Sequence, residues 1–382
     1  MLNGVHRHPK QDEVIYGRPA TEALSDTASA YGAGRLLIVT TRSLAGHGGL
    51  ADQLATALGN ACAGVFSGVR AHSPRQAVVD GASRARELAC DLLVALGGGS
   101  VIDATKVMQL CLWTGVQRAE ELDAYRMGAG SSAIEPGVRM VAIPTTLSAA
   151  EFTPFAGVTD TVRQTKEGYF HPLFAPRKVV LDPRMTLSTP PELWSSTGMK
   201  AVDHAVEQLC NPERAPFSDA LAEAGLSRLA RSLVKCKEDP GDLDARQDCQ
   251  FGMWLSISGA TMGRRMGASH AIGHSLGGLL GVPHGMTSAV MLPAVLSWNE
   301  IALGDRGRRI AELMGSSSAT AADAVRELCE KLSLPASLRS VGVDSERFRA
   351  IAEHAFHDGS IRGNPRPIRS PEDIEEILKL AR

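Results

Sequence analysis

The stretch DLLVALGGGS, residues 91–100, decides the fold class of this chain. Its first six residues, Asp91 and then five apolar residues, are typical of a buried β-strand. Three glycines and a serine follow at once, and residues 101–112 then have the apolar spacing of a helix. A strand, a glycine turn and a helix start in this order place backbone N–H groups and a helix N-terminus where they can hold a phosphate.

The sequence around this stretch alternates short apolar strands with helical segments. Strands are predicted at 14–17, 35–40, 63–66 and 140–143, and helices at 19–31, 48–58 and 74–90. This alternation predicts a parallel sheet with helices on both faces. Residues 155–181 are rich in Val, Thr, Tyr and Phe, which suits a hairpin or edge strands.

The pattern changes near residue 185. Beyond it the apolar residues recur with a helical period, and helices are predicted at 192–210, 217–236, 245–262, 269–280, 286–302, 305–314, 318–332, 344–355 and 371–381. A chain of 382 residues is also too long for one ordinary core. We therefore predict an α/β nucleotide-binding domain with a parallel sheet over residues 1–185, followed by an all-helical domain over 186–382. The active site is expected in the cleft between them.

Composition limits the possible partners and compartments. The formal net charge is −2, which argues against nucleic acid or an anionic membrane as the main partner. The seven cysteines are scattered, odd in number and without a CxxC pair, which indicates buried thiols in a reducing cytoplasm. The first fourteen residues do not resemble a secretory signal, and no run of eighteen apolar residues predicts a membrane span.

Four histidines form the strongest chemical signal. In SHAIGHSLGGLLGVPH, residues 269–284, His270 and His274 are one helical turn apart, and glycines at 277, 278 and 281 are expected to break the helix before His284. His204 lies in another helical segment, GMKAVDHAVEQLC. Imidazole is a common metal ligand and a common proton shuttle, so one pocket could use these residues for either task. Any one of them taken alone would more often pack in a core.

Lys200 lies one helical turn before His204, so both side chains share a face. Lysine at such a position is usually solvated. Here, however, its neighbours 199, 201, 202 and 205 are apolar or small. Asp203 and Glu207 fall on other faces of the helix, where they could support the site rather than bind a metal.

Two loops follow predicted strands in the first domain. GGGS at 97–100 has neither the Walker spacing nor the usual GxGxxG dinucleotide pattern, and alone it could be a simple turn. PTTLSAAEFT, residues 144–153, is rich in hydroxyl side chains. It could be an ordinary polar loop or a nucleotide-contacting loop that faces the glycine turn.

Five motifs together carry a resemblance. GGGSVIDATK, AIPTTLSAAEFT, the 200–207 segment, HAIGHSLGGLLGVPHG and GNPRPIRSPEDIEEIL occur in the order and spacing of the iron-containing (group III) alcohol dehydrogenase family. The resemblance implies an α/β domain that binds NAD(P), followed by a helical domain that holds Fe²⁺ or Zn²⁺ through one Asp and three His. It also implies a homodimer or larger homo-oligomer.

The resemblance assigns roles to individual residues. The three metal-binding histidines would be His204, His270 and His284, with His274 near the nicotinamide. The pyrophosphate would lie on Gly97, Gly98, Gly99 and Ser100, and the adenine and ribose side on Thr145, Thr146 and Leu147. Lys166 would bind a ribose hydroxyl, and Asp103 belongs to the same cofactor-binding set.

One residue departs from the family pattern. Where the family has its metal-binding Asp, four residues before the helix histidine, this chain has Lys200. Unit charges ~4 Å apart at an effective dielectric constant near 20 interact by about 4 kcal/mol, so an ammonium in place of a carboxylate weakens a cation site greatly. Three imidazoles and a water, or a deprotonated lysine, would still permit a metal. The maleylacetate reductase branch also lacks this Asp, and we predict a site without metal.

A mechanism follows as a hypothesis. Family metals polarise the carbonyl and stabilise the alkoxide that hydride transfer forms. Lys200 could take that role as a preorganised positive charge, while His270, His274 or His284 relays the proton. After the strand at 35–40, Thr41 and Arg42 occupy the positions where an acid would favour NAD, so the cofactor is predicted to be NADPH or NADH.

The sequence thus predicts a cytoplasmic NAD(P)H-dependent oxidoreductase acting on an aldehyde or ketone, with a carboxylate-bearing oxo substrate such as maleylacetate as the specific expectation. Three alternatives remain open. They are a metal-dependent alcohol dehydrogenase, a lyase like dehydroquinate synthase, and an inactive cofactor-binding protein.

Overall fold

The computed structural model describes residues 6, 8–129, 134–213, 215–260 and 265–382. The chain divides into two compact units, one of residues 8–188 and the other of residues 189–382 together with His6. The division therefore falls between Ser188 and Thr189, whereas the sequence placed the domain boundary near 185.

The N-terminal unit is built on a parallel sheet with a separate antiparallel hairpin. Its strands are β1 (Glu13–Tyr16), β2 (Leu36–Val39), β3 (Cys62–Phe66), β4 (Leu92–Gly97), β5 (Arg139–Pro144), β6 (Phe155–Asp160), β7 (Thr165–Phe170) and β8 (Lys178–Leu181). Its α-helices are α1 (Ala20–Tyr31), α2 (Leu50–Leu58), α3 (Arg75–Glu87) and α4 (Gly99–Thr114). Every residue of β2 and β4 is buried, as expected for parallel strands covered on both faces.

The sheet order positions the nucleotide-binding loops. The order is β1-β8-β5-β4-β2-β3, and all of these pairs are parallel. The chain moves outward from β2 to β3, returns to β4 beside β2, and then continues in the other direction to β5. Ligands of such sheets bind where the order reverses, outside the carboxyl ends of the strands. That point lies at the ends of β2 and β4, which lead into Thr41 and Gly98.

The expectation for 155–181 was right in one part and wrong in the other. Strands β6 and β7 form the expected antiparallel hairpin, with Phe155 opposite Phe170. Strand β8, however, is an interior strand between β1 and β5, not part of a hairpin or an edge. Its four residues, KVVL, are all buried. A four-residue apolar run has the same sequence pattern in an interior strand as in a hairpin strand, so the sequence could not distinguish the two.

The second unit is helical throughout its described residues, apart from turns and short 3₁₀ segments. Its α-helices are α5 (Pro191–Cys210), α6 (Pro216–Glu238), α7 (Leu243–Ser258), α8 (Ala268–Leu280), α9 (His284–Leu303), α10 (Asp305–Leu313), α11 (Ala321–Lys331), α12 (Phe348–Phe356) and α13 (Pro371–Leu380). Residues 261 and 262, the predicted end of the 245–262 helix, lie outside the described residues.

Two helix starts differ from the prediction for local reasons. Helix α11 begins at Ala321, not at 318, because the Thr320 side chain accepts the N–H of Asp323 and caps the helix there. Helix α12 begins at Phe348 after a 3₁₀ turn over Ser345–Arg347. Helix α8 agrees with the predicted 269–280 helix. Of the three glycines expected to break it, those at 277 and 278 lie inside the helix, and only Gly281, with a φ of 69°, ends it.

Helices α8, α9, α12 and α13 enclose the core of this unit. Ile272 and Leu276 of α8 pack with Met291 of α9, Ile351 of α12 and Ile377 of α13, and all five are 0 or 1% exposed. By length and mean hydropathy (1.2), α9 could cross a membrane, but 72% of that apolar window is buried inside the structure. Burial of this kind is typical of the central helix of a globular unit.

Candidate active site

The glycine loop joins β4 to α4 in a conformation that needs its glycines. Gly97 has a φ of 154°, and a Cβ there would overlap the Val101 side chain. A Cβ on Gly98 would lie 3.0 Å from the Thr146 hydroxyl, and one on Gly99 would lie 3.1 Å from the side chain of Ser148. The glycine loop therefore packs closely against the PTTLS loop. No side chain caps the amide groups at the start of α4. This is the form of a phosphate cradle.

The second loop is fixed against the first. The N–H of Thr145 donates to the carbonyl of Gly97 over 3.1 Å, and Leu147 is fully buried. Thr146 is 5% exposed, and its Oγ1 has no hydrogen-bond partner among the described residues. A buried hydroxyl without a partner costs free energy, so this oxygen fits a polar group of a bound ligand. The two loops predicted to face each other are therefore in contact.

A third loop, which sequence reasoning missed, supports Ser100. Its Oγ accepts the N–H of His72, and its carbonyl accepts the hydroxyl of Ser73. His72 and Ser73 have φ values of 62° and 51°, a left-handed conformation that few non-glycine residues adopt. The hydroxyl of Thr159 also donates to the His72 carbonyl. Backbone strain held by several contacts is common beside functional sites.

The remaining predicted cofactor residues have different surroundings. The Thr41 hydroxyl lies 2.9 Å from that of Ser43, and Arg42 is exposed on the turn that follows β2. The side chain of Lys166 packs against Gly157. The pKa of His72 is lowered mainly by burial of the imidazole and further by the charge of Lys166. The Asp103 carboxylate accepts the N–H of Gly157 over 3.1 Å and so attaches β6 to α4.

A buried lysine secures the loop after β5. Lys106 is fully buried, and its ammonium donates to the carbonyls of Ala150 and Phe155 over 2.6 and 2.7 Å. Burial lowers the pKa of Lys106 to about 8. Burial also raises the pKa of Glu151 to about 7, and the Glu151 carboxyl oxygens have no hydrogen-bond partner among the described residues. Burial therefore disfavours the charged form of both side chains, which predicts a stability that depends on pH.

The four predicted histidines of the helical unit form one cluster. The ring of His204 on α5 stacks on that of His270 on α8, with centroids 5.1 Å apart. The rings of His274 and His284 stack in parallel, with centroids 5.3 Å apart and an interplanar angle of 7°. The His270 ring meets both members of the second pair edge-on, at 6.2 and 6.4 Å. The structure therefore brings together all four imidazoles that the sequence singled out.

Close helix packing makes this cluster possible. Helix α9 starts at His284, directly after the reversal at Gly281 and Pro283. A Cβ on Gly285 would overlap the carbonyl of Ser196, so only glycine allows α9 to approach α5 this closely.

Glu207 holds His270 in place. The Glu207 carboxylate accepts the N–H groups of Gly267 and Ser269, both over 2.7 Å, and thus caps the N-terminus of α8. The same carboxylate lies 2.7 Å from Nδ1 of His270. Because an ionised carboxylate only accepts hydrogen bonds, Nδ1 carries the proton and Nε2 is left as an acceptor. His270 Nε2 is buried and has no hydrogen-bond partner in the described chain.

His204 and His270 are neutral near pH 7. Burial, followed by the charge of Lys200, lowers the pKa of His270 to about 3. Burial likewise holds the pKa of His204 well below its usual value, with His270 and Lys200 adding to the effect. Both rings therefore offer lone pairs, and neither can store a proton at neutral pH.

Lys200 lies inside the protein and not in solvent. It is 6% exposed, and its Nζ lies 3.9 Å from Oδ2 of Asp203, which is fully buried. The same oxygen accepts the hydroxyls of Ser269 and Ser288, over 3.0 and 2.6 Å. Burial raises the pKa of the Asp203 carboxyl, while His270 and Lys200 oppose that effect. The ammonium is thus part of the cluster, since its charge acts on both buried imidazoles.

His274 has a carboxylate partner of its own. Its Nδ1 lies 2.7 Å from Oδ2 of Asp358, and its side chain is 46% exposed. Burial would raise the pKa of Asp358, but the hydrogen bond and charge of His274 outweigh it, so that this pKa lies well below its usual range. An imidazole that is open to solvent and oriented by a carboxylate is suited to proton transfer.

The sequence named Asp203 and Glu207 as supports of the site but placed them on other faces of the helix. That placement was wrong, because Asp203 lies 3.9 Å from Lys200 and Glu207 lies 2.7 Å from His270. Two other contacts were missed altogether. No spacing connects Asp358 with His274, because they are 84 residues apart in sequence. Likewise nothing in the sequence connects the loop at His72 with Ser100.

Comparison with known proteins identifies the family. The model for iron-containing alcohol dehydrogenase matches residues 11–183, and the model for the C-terminal part of the Fe-containing alcohol dehydrogenase family matches residues 195–382. The chain belongs to the iron-containing alcohol dehydrogenase family. It is therefore an oxidoreductase with a parallel-sheet α/β unit and a mostly helical C-terminal unit, and the resemblance stated from the motifs is confirmed.

Several relatives within the iron-containing alcohol dehydrogenase family are maleylacetate reductases. The chain is 33% identical to maleylacetate reductase 2 of Cupriavidus pinatubonensis, over 100% of this chain and 97% of that protein. It is 32% identical to the maleylacetate reductase of Burkholderia cepacia, over 93% and 91%. The crystal structure of maleylacetate reductase from Agrobacterium tumefaciens has a TM-score of 0.83 and 27% identity, covering 100% of this chain and 98% of that one.

Proposed function

We propose that the chain is a cytoplasmic NAD(P)H-dependent reductase of an oxo acid such as maleylacetate, and that it works without a divalent metal. The names of its relatives support the substrate class. The burial of Lys200 beside two neutral imidazoles carries the metal-free part of the proposal.

The residues of the cluster do not fit the family metal. Its ligands would be His204, His270 and His284, but the fourth position is Lys200, a buried ammonium. Burial is the main cause of the lowered pKa of His204 and His270, and the charge of Lys200 adds to it, although Asp203 acts in the opposite direction on His270. This contribution of Lys200 supports the proposal, because the same charge would oppose a cation at those nitrogens. A divalent cation would meet twice that repulsion from Lys200, and the Asp203 carboxylate, which would attract it, is already paired with the ammonium.

The glycine loop fits a nicotinamide dinucleotide. Gly97–Ser100 and the start of α4 would hold the pyrophosphate, and the unpartnered Thr146 hydroxyl would take a polar group of the same ligand. When bound, the reduced nicotinamide supplies the hydride.

The chain's own residues perform the remaining chemistry. Reduction of a carbonyl places negative charge on its oxygen, and the Lys200 ammonium stabilises that charge because it is already in position and shielded from water. The alkoxide then needs a proton. His274 passes it, since its ring is oriented by Asp358 and is open to solvent, whereas the His270 ring is buried.

One observation favours a second candidate, a metal-dependent alcohol dehydrogenase. His270 donates one ring nitrogen to a carboxylate and leaves the other without a partner, an arrangement that is usual for metal-binding histidines. A Lys200 without its proton would remove the repulsion.

Replacement of Lys200 separates these two functions. Lys200→Met should lower kcat for oxo-acid reduction by 10² or more, while NADH and NADPH still bind, as measured by cofactor fluorescence. Lys235→Met, a change at an exposed lysine of α6, is the matched control and should leave kcat unchanged. The substrate panel comprises maleylacetate, simple 2-oxo acids and aldehydes. Full activity of Lys200→Met, or activity that appears only with added Zn²⁺ or Fe²⁺, would overturn the proposal.

A further inference from the structure

Asp203 is a buried acid for which the proposed mechanism has no task so far. It is fully buried on α5, one helical turn after Lys200, and its Oδ2 lies 3.9 Å from the Lys200 Nζ. A buried carboxylate needs a cation or several donors close to it. Among the described residues Lys200 supplies that cation, since His270, the other basic group within 4 Å, donates its Nδ1–H to Glu207.

The same carboxylate connects the helices that carry the imidazoles. Its Oδ2 accepts the hydroxyl of Ser269, the residue before His270 on α8. It also accepts the hydroxyl of Ser288, one turn after His284 on α9. Oδ2 of Asp203 therefore contacts the Lys200 ammonium on α5 and is hydrogen-bonded to both α8 and α9.

We propose that Asp203 is the positioning residue of Lys200, the counter-charge that fixes its ammonium relative to the imidazoles of α8 and α9. This inference rests on the proposed role of Lys200 in oxyanion stabilisation. A charge stabilises a transition state well only if it is held in place beforehand. Loss of Asp203 should therefore lower the rate of the chemical step and leave the binding of cofactor and substrate nearly unchanged.

The test uses Asp203→Asn, Lys200→Met and the double variant of the full-length protein. We expect Asp203→Asn to lower kcat for maleylacetate, or for the best oxo acid of the panel, by tenfold or more. KM for that substrate and the Kd for NADH should change by less than twofold. The double variant should be no slower than Lys200→Met alone, because Asp203 acts through Lys200. Asp248→Asn is the control, since that carboxylate also accepts a buried serine hydroxyl but pairs with Arg228 and Arg231.

The outcomes separate the inference from the proposal on which it rests. An active Lys200→Met overturns the proposed function and the inference with it. An inactive Lys200→Met together with a fully active Asp203→Asn overturns the inference alone, as does a double variant whose losses multiply. If Asp203→Asn alone does not fold, the inference is tested by comparing the urea denaturation midpoints of Lys200→Met and of the double variant. Adding Asp203→Asn to Lys200→Met should raise the denaturation midpoint, because it removes an unpaired buried charge, and a lowered midpoint would contradict the pairing.

Discussion

The Glu207 carboxylate lies 2.7 Å from Nδ1 of His270 while it also accepts two backbone N–H groups at the start of α8. A single side chain on α5 therefore sets both the position of α8 and the tautomer of the imidazole at the centre of the cluster. Replacement of this residue should affect stability and turnover together.

We expect Glu207→Gln to lower the free energy of unfolding by about 1–3 kcal/mol, because an amide has one acceptor oxygen for three donors and its NH₂ group faces backbone N–H groups. Urea denaturation measures this change. Oxo-acid turnover should fall as well, since the orientation of His270 is lost. Glu120→Gln, a change at an exposed position, is the control. An unchanged denaturation midpoint for Glu207→Gln would show that the carboxylate does not cap α8.

Asp358 should act on turnover more than on stability. It lies 23% exposed beside His274 and orients that ring through one hydrogen bond. We expect Asp358→Asn to lower kcat by about 10²-fold, the lower end of what a positioned proton donor contributes, with little change in KM for the cofactor. Steady-state kinetics with NADH at saturating oxo acid measures both values. A variant with wild-type kcat would contradict the role of the Asp358 carboxylate in proton transfer through His274.

Arg42 should determine how well NADPH competes with NADH. The side chain is exposed on the turn after β2, at the reversal point of the sheet. Loss of a hydrogen bond to a charged group costs about 1.5–3 kcal/mol, so Arg42→Ala should raise KM for NADPH about tenfold or more and leave KM for NADH nearly unchanged. Thr41→Asp should favour NADH further, because a carboxylate repels a 2′-phosphate. Equal effects on both cofactors would contradict this assignment.

Glu151 should make stability depend on pH. Its pKa is raised from 4.5 to about 7 by burial, so the folded state binds a proton more tightly than the unfolded state. The stability from this group is complete below pH 4.5 and is lost as the pH rises to about 7. Glu151→Gln should therefore gain stability relative to the wild type across that window, by ~1.4 kcal/mol per pH unit at most. Urea denaturation at pH 5 and pH 7.5 tests the sign, and a difference that shrinks towards high pH would contradict it.

Much of the fold could be predicted because its signals are local. Apolar runs such as 91–96 give strands, glycine follows where the chain must turn into a phosphate loop, and a 3.6-residue period gives the helices. Strand β8 was misplaced because a four-residue apolar run does not show its neighbours in the sheet. The helix predicted at 269–280 agrees with α8, which continues through Gly277 and Gly278 although glycine has a low helix propensity.

The candidate site, like the fold, has residues that local sequence signals predict and residues that they do not. Residues with distinctive chemistry, such as Lys200 and His270, could be found from residue type and spacing. Their partners could not all be found, because Asp358 meets His274 only through the packing of the C-terminal segment against α8. The strained loop at His72 depends on contacts with residues from two other segments, Ser100 and Thr159. No local pattern encodes such contacts.

The most direct test of the metal-free site measures metal content and turnover on the same sample. The protein is purified in the presence of a chelator, and its Fe and Zn content is quantified. Reduction of maleylacetate with NADH and with NADPH is then measured before and after the addition of each metal. We expect full turnover at a metal content far below one ion per chain, with no gain from added Zn²⁺ or Fe²⁺. Loss of turnover on chelation with recovery on metal addition would contradict the role of the Lys200 ammonium.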